Sequence, residues 1–459
     1  MTENVTIVQK KKAFDIKAGI QLPLKISKYK IDHSYLFIAP EKASFITTGE
    51  IGSQFLSYFK EGYSIERVID KMKNNGFNMD MIISELHSFL VKLEKKGFYE
   101  DSAVKNINIS QPSLHLDLTT RCNLTCVHCL RDAGKGQPEE LTTGDWLKVI
   151  DTFSSLNKTR VCFSGGEAML HPGIFDILKR AKDRGLYVIL FTNGTLIDSQ
   201  RVANKLEKIV DKIQVSLDGA TAEVNDKIRG KGCFEKVFRA VHFLEKTRIN
   251  LDIAISVMPQ NSDDLEQNLE KLAKMLGPKV NIRVSPSVKE GRATASHTFS
   301  SQEVGRGKIR KLTGLIYQKR LKAMTKEEKN VKLNNCGYGE TVVVSSIGDI
   351  FPCNLYEPRV KFGNVRNDDF AKILKEIDNA RKLVDVENIE KCKTCDLKII
   401  CYGGCRLNNI YRNNDIAKPA CTPEYKKQLC ARIVEREENF DPLALWLGED
   451  ETESKRFDN

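Results

Sequence analysis

The chain has 459 residues, of which 41% are hydrophobic, 29% charged and 8% aromatic, and its formal net charge is +11. That length predicts two to four domains with ample core. No apolar run reaches 18 residues, which excludes a membrane-spanning helix, and the opening MTENVTIVQKKK has no apolar segment, which excludes a secretory signal. Thirteen cysteines in such a chain predict metal sites in a reducing cytoplasm rather than disulfides. The positive charge suits solubility and anionic ligands. Nothing resembles an RNA-binding signature or an aromatic-studded basic groove, so neither nucleic acid nor membrane is an expected partner.

Residues 1–100 read as a small α+β domain. Short β-like runs lie at 25–31 and 35–39, and helices are predicted over 47–59 and 64–74. Ser64 with Arg67 gives half of a capping box. A third helix places Ile82, Ile83, Leu86, Phe89, Leu90 and Leu93 on one apolar face, with Gly97 beyond its end. The polar, aperiodic stretch 101–112 reads as a linker. From 113 to 330 strands alternate with helices, the strands falling at 114–118, 160–164, 187–192, 213–217, 251–257 and 280–284. Repeated βα units imply a parallel sheet, open or closed into a barrel, with ligands at the carboxyl ends of the strands. Cys162 and Cys233 read here as packing residues. From 331 to 430 periodicity weakens and cysteines dominate, with a hairpin expected from strands at 342–344 and 350–351. Metal coordination replaces apolar burial as the main constraint on such a segment. Residues 431–459 form an acidic tail, with Leu443, Leu445, Trp446 and Leu447 as a docking patch.

Ten of the thirteen cysteines fall into two patterns: Cys122, Cys126 and Cys129 spaced C-x3-C-x2-C, and a block of Cys336, Cys353, Cys392, Cys395, Cys401, Cys405 and Cys421. Thiolates at short fixed intervals hold a soft metal. Three thiolates on a four-iron cluster leave one iron open to a reacting ligand. Taken alone, the same trio also suits zinc, with His128 adjacent.

C-x3-C-x2-C at the end of a first barrel strand resembles the signature of the radical S-adenosylmethionine (SAM) superfamily, and the match runs through the whole middle region. The resemblance implies a partial (β/α)6 barrel over 113–330. It also implies a 4Fe–4S cluster on the three thiolates, whose open iron chelates SAM and whose electron cleaves it to methionine and a 5′-deoxyadenosyl radical. Gly165, Gly166 and Glu167 match the family's GGE motif, whose backbone edge receives the SAM amino group. Asn193 in FTNGT resembles a position near SAM. Ser216 in QVSLDG and Arg229 in KIRGKG resemble residues binding the SAM carboxylate and ribose, for which a guanidinium fork is suited. Gly291, Arg292 and Ala293 match a family turn near the adenine more loosely.

The C-terminal block resembles the SPASM domain of peptide maturases over 331–430. That implies one auxiliary cluster on Cys392, Cys395, Cys401 and Cys421, and another with Cys336, Cys353 and Cys405, hence three 4Fe–4S clusters in all. Some family members carry a further cysteine about six residues after the first, where this chain has Val342, so that cluster is expected to keep an open iron for a substrate thiolate. Cys430 is the competing internal ligand. The order of strands and helices in 1–100 resembles the RiPP recognition element, a winged-helix fold that binds a precursor's leader peptide as an added strand. Ordinary winged-helix DNA binding is its rival, and the helix expected to enter DNA carries few arginines. Together these resemblances imply a cytoplasmic peptide maturase closest in character to subtilosin-type thioether-forming enzymes, served by a reductant such as flavodoxin or ferredoxin. The alternatives are C–C or C–O crosslinking and Cα epimerisation, for which Cys233 is the candidate hydrogen donor. More distant is a non-enzymatic cluster-bearing protein.

Overall fold

The computed structural model describes residues 14–106, 113–156, 158–288, 290–300, 331–332 and 335–438, with isolated positions between 305 and 312. They form two compact units, one drawn from residues up to 108, 326–336 and 384–440, the other from 109–325 and 337–383.

The first unit opens with an antiparallel sheet of β1 (Ser27–Ile31), β2 (Ser34–Ala39) and β3 (Ser44–Thr48), with β2 central. Helices α1 (Glu50–Lys60), α2 (Ile65–Asn74) and α3 (Met79–Lys95) follow. β3 corrects the helix expected from residue 47. Ala43 takes a left-handed φ of 46° and turns the chain back, and the run SFITT, rich in β-branched residues, pairs with β2. The helix starts only after Gly49. Ser64 caps α2 by accepting from the Arg67 amide at 3.3 Å, and α3 buries Ile82, Leu86, Phe89, Leu90 and Leu93 as its pattern predicts. β2 is covered on both faces. Tyr35, Phe37 and Ala39 pack with the helices. Leu36 and Ile38 pack against Leu397, Ile399, Cys430, Ile433 and Val434 of the cysteine-rich segment. A strand buried on both sides is continuously apolar, as SYLFIA is. Tyr29 Oη on β1 adds a 2.5 Å hydrogen bond to Asp396 Oδ2. Beyond α3, the short β4 (Lys105–Asn106) ends this part of the unit.

The second unit is a βα alternation: β5 (Ser113–Asp117), α4 (Thr143–Ser155), β6 (Arg160–Ser164), α5 (Ile174–Asp183), β7 (Tyr187–Thr192), α6 (Gln200–Glu207), β8 (Lys212–Ser216), α7 (Ala222–Arg229), α8 (Cys233–Leu244), β9 (Asn250–Val257), α9 (Ser262–Met275) and β10 (Val280–Pro286). The six strands are parallel and in sequence order, and all six predicted strands are found. Alternate side chains, such as Leu114, Leu116, Val161, Phe163, Val188, Leu190, Ile213 and Val215, point into the core beneath the helices. β11 (Val331–Lys332) returns to the first unit and pairs with β4. The expected hairpin forms as β12 (Thr341–Val344) and β13 (Asp349–Phe351), and Gly348 at φ 92° makes its turn. β12 extends the large sheet by pairing parallel to β5, and β14 (Gly363–Asn364) closes the edge. Among the described residues no helix is long and apolar enough to cross a membrane.

Ile38→Ala, at a fully buried side chain, is expected to cost about 2–5 kcal/mol in denaturant unfolding. Leu24→Ala, at a side chain 84% exposed, should shift the same curve by less than about 0.5 kcal/mol.

Candidate active site

The loop after β5 carries Cys122, Cys126 and Cys129, and its backbone is fastened on several sides. Gly166 N and Glu167 N donate to Thr119 O at 2.7 Å and Arg121 O at 2.8 Å, Val127 N donates to Ile228 O at 3.1 Å, and Arg292 N to Cys129 O at 3.0 Å. These approaches need residues without side chains. A Cβ on Gly165 would lie 2.4 Å from Thr119 O, on Gly166 2.4 Å from Arg121 O, and on Gly291 2.1 Å from Cys129 O. The GGE edge and the Gly291 turn therefore grip the cysteine loop from two directions. Arg292 completes the grip through Nε to Cys126 O at 3.0 Å and Nη1 to Ala133 O at 2.7 Å.

Two of the thiols receive amide donors, Leu124 N to Cys122 Sγ at 3.5 Å and Ala133 N to Cys129 Sγ at 3.4 Å. Burial raises the Cys122 pKa and pushes Cys126 up to about 11, the Arg229 charge opposing it. Such thiols ionise when a metal takes the place of the proton. Among the described residues no three His, Cys, Asp or Glu side chains converge on a point as around a single ion. A four-iron cluster instead takes one thiolate per iron, which suits three thiols on one loop, two of them with amide donors.

The candidate cofactor residues surround this loop. Glu167 is buried, and its carboxylate accepts from Thr192 Oγ1 at 2.8 Å, Asn193 N at 2.7 Å and Met169 N at 3.0 Å. Burial raises its pKa while these hydrogen bonds oppose the shift. It joins the ends of β6 and β7 and fixes Asn193, whose Nδ2 lies 2.9 Å from Asn123 Oδ1 and 4.0 Å from Cys122 Sγ. Ser216 ends β8, half-buried. Arg229 ends α7, with Nε 2.6 Å from Asp218 Oδ2 and Nη1 3.9 Å from Cys126 Sγ.

Asp218 was not singled out by the sequence, although it lies two residues beyond Ser216. It is fully buried. Besides Arg229 it meets His128 Nε2 at 3.1 Å and the Ser256 amide at 2.7 Å. Burial opposes its ionisation, but Arg229 and His128 outweigh that and hold its pKa at about 2. Glu140 is a second omission. It accepts from Thr119 Oγ1 at 2.7 Å and Thr120 N at 2.6 Å, bracing the approach to Cys122.

In the first unit Cys392, Cys395, Cys401, Cys405 and Cys421 line one cavity of about 160 Å³. Cys405 occupies the position just before the helix Arg406–Asn413. The hydrogen bond from Cys336 and the backbone amides of that helix end lower the Cys405 pKa against its burial, and the same pairing raises Cys336. Cys353 belongs to the second unit. Val342 is fully buried in β12, and Cys430 is buried in the apolar cluster with Ile38. Cys233 is buried in the core behind the sheet, as a packing residue should be.

The radical SAM superfamily model matches residues 116–272, and the SPASM iron–sulfur cluster-binding domain model matches 336–396. An AdoMet-dependent heme synthase of Methanosarcina barkeri is 32% identical over 317 residues, which are 63% of this chain and 89% of that protein. The chain belongs to the radical SAM superfamily. It is thus an enzyme of the class that uses iron–sulfur clusters and SAM, and it carries a SPASM domain. Another relative in this superfamily, mycofactocin maturase MftC of Mycobacterium tuberculosis, is 31% identical over 336 residues, 69% of this chain and 84% of that one. In fold the chain is similar to Streptococcus suis SuiB, solved bound to its precursor peptide SuiA, with a TM-score of 0.51 at 15% identity over 88% of this chain and 99% of that one.

For this radical SAM enzyme, Gly166→Ala and Gly291→Ala are each expected to displace the cysteine loop. Iron analysis after anaerobic reconstitution should then find about four fewer irons per chain than in the parent. Asp218→Ala leaves Arg229 buried and unpaired, and should cost about 3–5 kcal/mol in denaturant unfolding.

Proposed function

We propose that this enzyme matures a ribosomally made precursor peptide by forming cysteine thioether bonds. The observation that carries the reading is the shared core of the first unit. The sheet-and-helix module, which resembles a leader-binding element, packs its β2 against the segment bearing the C-terminal cysteines. A fold of that kind takes an extended peptide as an added strand. A tetrapyrrole substrate, suggested by the name of the Methanosarcina barkeri relative, is the second reading; it gives the module before residue 116 nothing to do.

In this proposal Cys122, Cys126 and Cys129 hold the SAM cluster. Cys392, Cys395, Cys401 and Cys421 hold a second 4Fe–4S cluster, and Cys336, Cys353 and Cys405 give three ligands to a third. When bound, the first cluster and SAM supply a 5′-deoxyadenosyl radical. The Gly165 and Gly166 edge receives the SAM amino group, Asn193 lies near SAM, and Ser216 and Arg229 hold its carboxylate and ribose. Arg229 gives Nε to Asp218, so its terminal nitrogens serve the cofactor. Glu167 acts through Asn193. The open position beside Cys336, Cys353 and Cys405 takes the substrate thiolate, and flavodoxin or ferredoxin delivers electrons.

The reduced, reconstituted enzyme should remove two hydrogens per bond from a cysteine-containing precursor encoded beside its gene, as read by mass spectrometry. An unchanged peptide mass while deoxyadenosine accumulates would sink the thioether reading, and deuterium gained in heavy water would favour epimerisation. Cys430→Ala should leave the iron content unchanged. Loss of close to one cluster would show that Cys430 fills the open position.

A further inference from the structure

Asp117, the last residue of β5, sits between two cysteine-bearing loops of the second unit. Leu116 and Leu118 on either side of it point into the core, so its own side chain stands on the sheet face turned from the helices. It is buried, and its two oxygens have separate partners. Oδ1 meets His115 Nε2 at 3.0 Å. Oδ2 meets Arg131 Nε at 2.8 Å and accepts a hydrogen bond from Tyr356 Oη. Arg131 lies two residues after Cys129, and Tyr356 three residues after Cys353. One carboxylate oxygen therefore holds both loops.

Two further contacts join the same loops. The Arg131 guanidinium lies 3.7 Å over the Tyr356 ring. Arg131 Nη2 donates to the carbonyl of Asn354, the residue after Cys353, at 3.3 Å. Tyr356 in turn stacks on Phe351, the last residue of β13, with ring centroids 4.8 Å apart and planes 7° from parallel. Backbone pairing does not reach this far, because β5 pairs with β12 only up to Leu116 and Val344. Burial opposes the charge on Asp117, but His115, Arg131 and Tyr356 outweigh it and hold its pKa at about 2. Carboxylate and guanidinium thus face each other charged at neutral pH, and a charge-assisted contact of this kind is among the stronger polar ties a fold can make.

We propose that Asp117 is a positioning residue that locks the Cys353 loop to the SAM-cluster loop and so sets the separation of the two clusters these loops would hold. It acts through Arg131 and Tyr356 rather than on the reacting atoms. Electron transfer between two centres weakens steeply with their separation, so a clamp at this place governs how readily an electron crosses between them. The inference rests on the reading of Cys353 as an auxiliary-cluster ligand and not on the thioether chemistry.

The test uses reconstituted full-length enzyme without peptide. Hydrogen exchange read by mass spectrometry should rise about tenfold over 352–357 and 129–133 in Asp117→Asn, the loss expected for hydrogen bonds to a charged group, while β7 to β9 keep the parent's rates. Tyr356→Phe, which retains the ring stack and loses only the hydroxyl, should raise it about threefold. The double variant should exceed Asp117→Asn by nothing, since both changes break one tie. The second readout is the microwave power that half-saturates the electron paramagnetic resonance signal of the reduced SAM cluster, which a nearby paramagnetic cluster increases. At equal iron content that power should fall about twofold or more in either single variant, a shift that a merely structural role does not produce. Unchanged exchange over 352–357 in Asp117→Asn, or an unchanged half-saturation power in both variants, overturns the clamp. Full iron content in Cys353→Ala overturns instead the ligand reading on which it rests.

Discussion

The active site depends on how closely three separate pieces of backbone approach one another. Carbonyls of Thr119, Arg121 and Cys129 lie where a side chain on Gly165, Gly166 or Gly291 would have to be. Only residues without a Cβ let the β6 edge and the turn after β10 close on the cysteine loop. Once they do, amide hydrogens meet carbonyls, and the thiols are held in a loop with little freedom left to lose. The ordering entropy is thus spent in folding rather than in cofactor binding.

Around that frame, electrostatics in a low-dielectric setting do the remaining positioning. Asp218 gathers Arg229, His128 and the Ser256 amide, and Glu167 gathers the ends of two strands. A buried carboxylate with several donors is costly to dislodge, because removing one donor leaves charge without compensation. Neither side chain has to touch a ligand to matter, since each fixes a residue that lies against the cysteine loop.

Much of this was legible in the sequence, and the exceptions share a cause. The six parallel strands were readable because period-two alternation and helical periodicity repeat without interruption from 113 to 286. The third strand of the first sheet was hidden because the SFITT run continues into the apolar face of α1, with Ile51 and Phe55, and nothing local marks the change of period at Gly49. Asp218 was passed over because its partners are remote in sequence: His128 is 90 residues earlier. Cys162, read as a packing residue, is buried as expected, and strand parity places it on the face opposite Val161 and Phe163.

The double-sided burial of β2 has a practical consequence for protein engineering. Leu36 and Ile38 are covered by residues near 397 and 433, so the apparent N-terminal domain is not a portable cassette. Cutting the chain after residue 100 would bare an apolar strand face beside an open sheet edge, a combination prone to aggregation. A chimera that borrows this module would have to bring the helix Pro423–Glu438 with it, although more than three hundred residues separate the two in the gene.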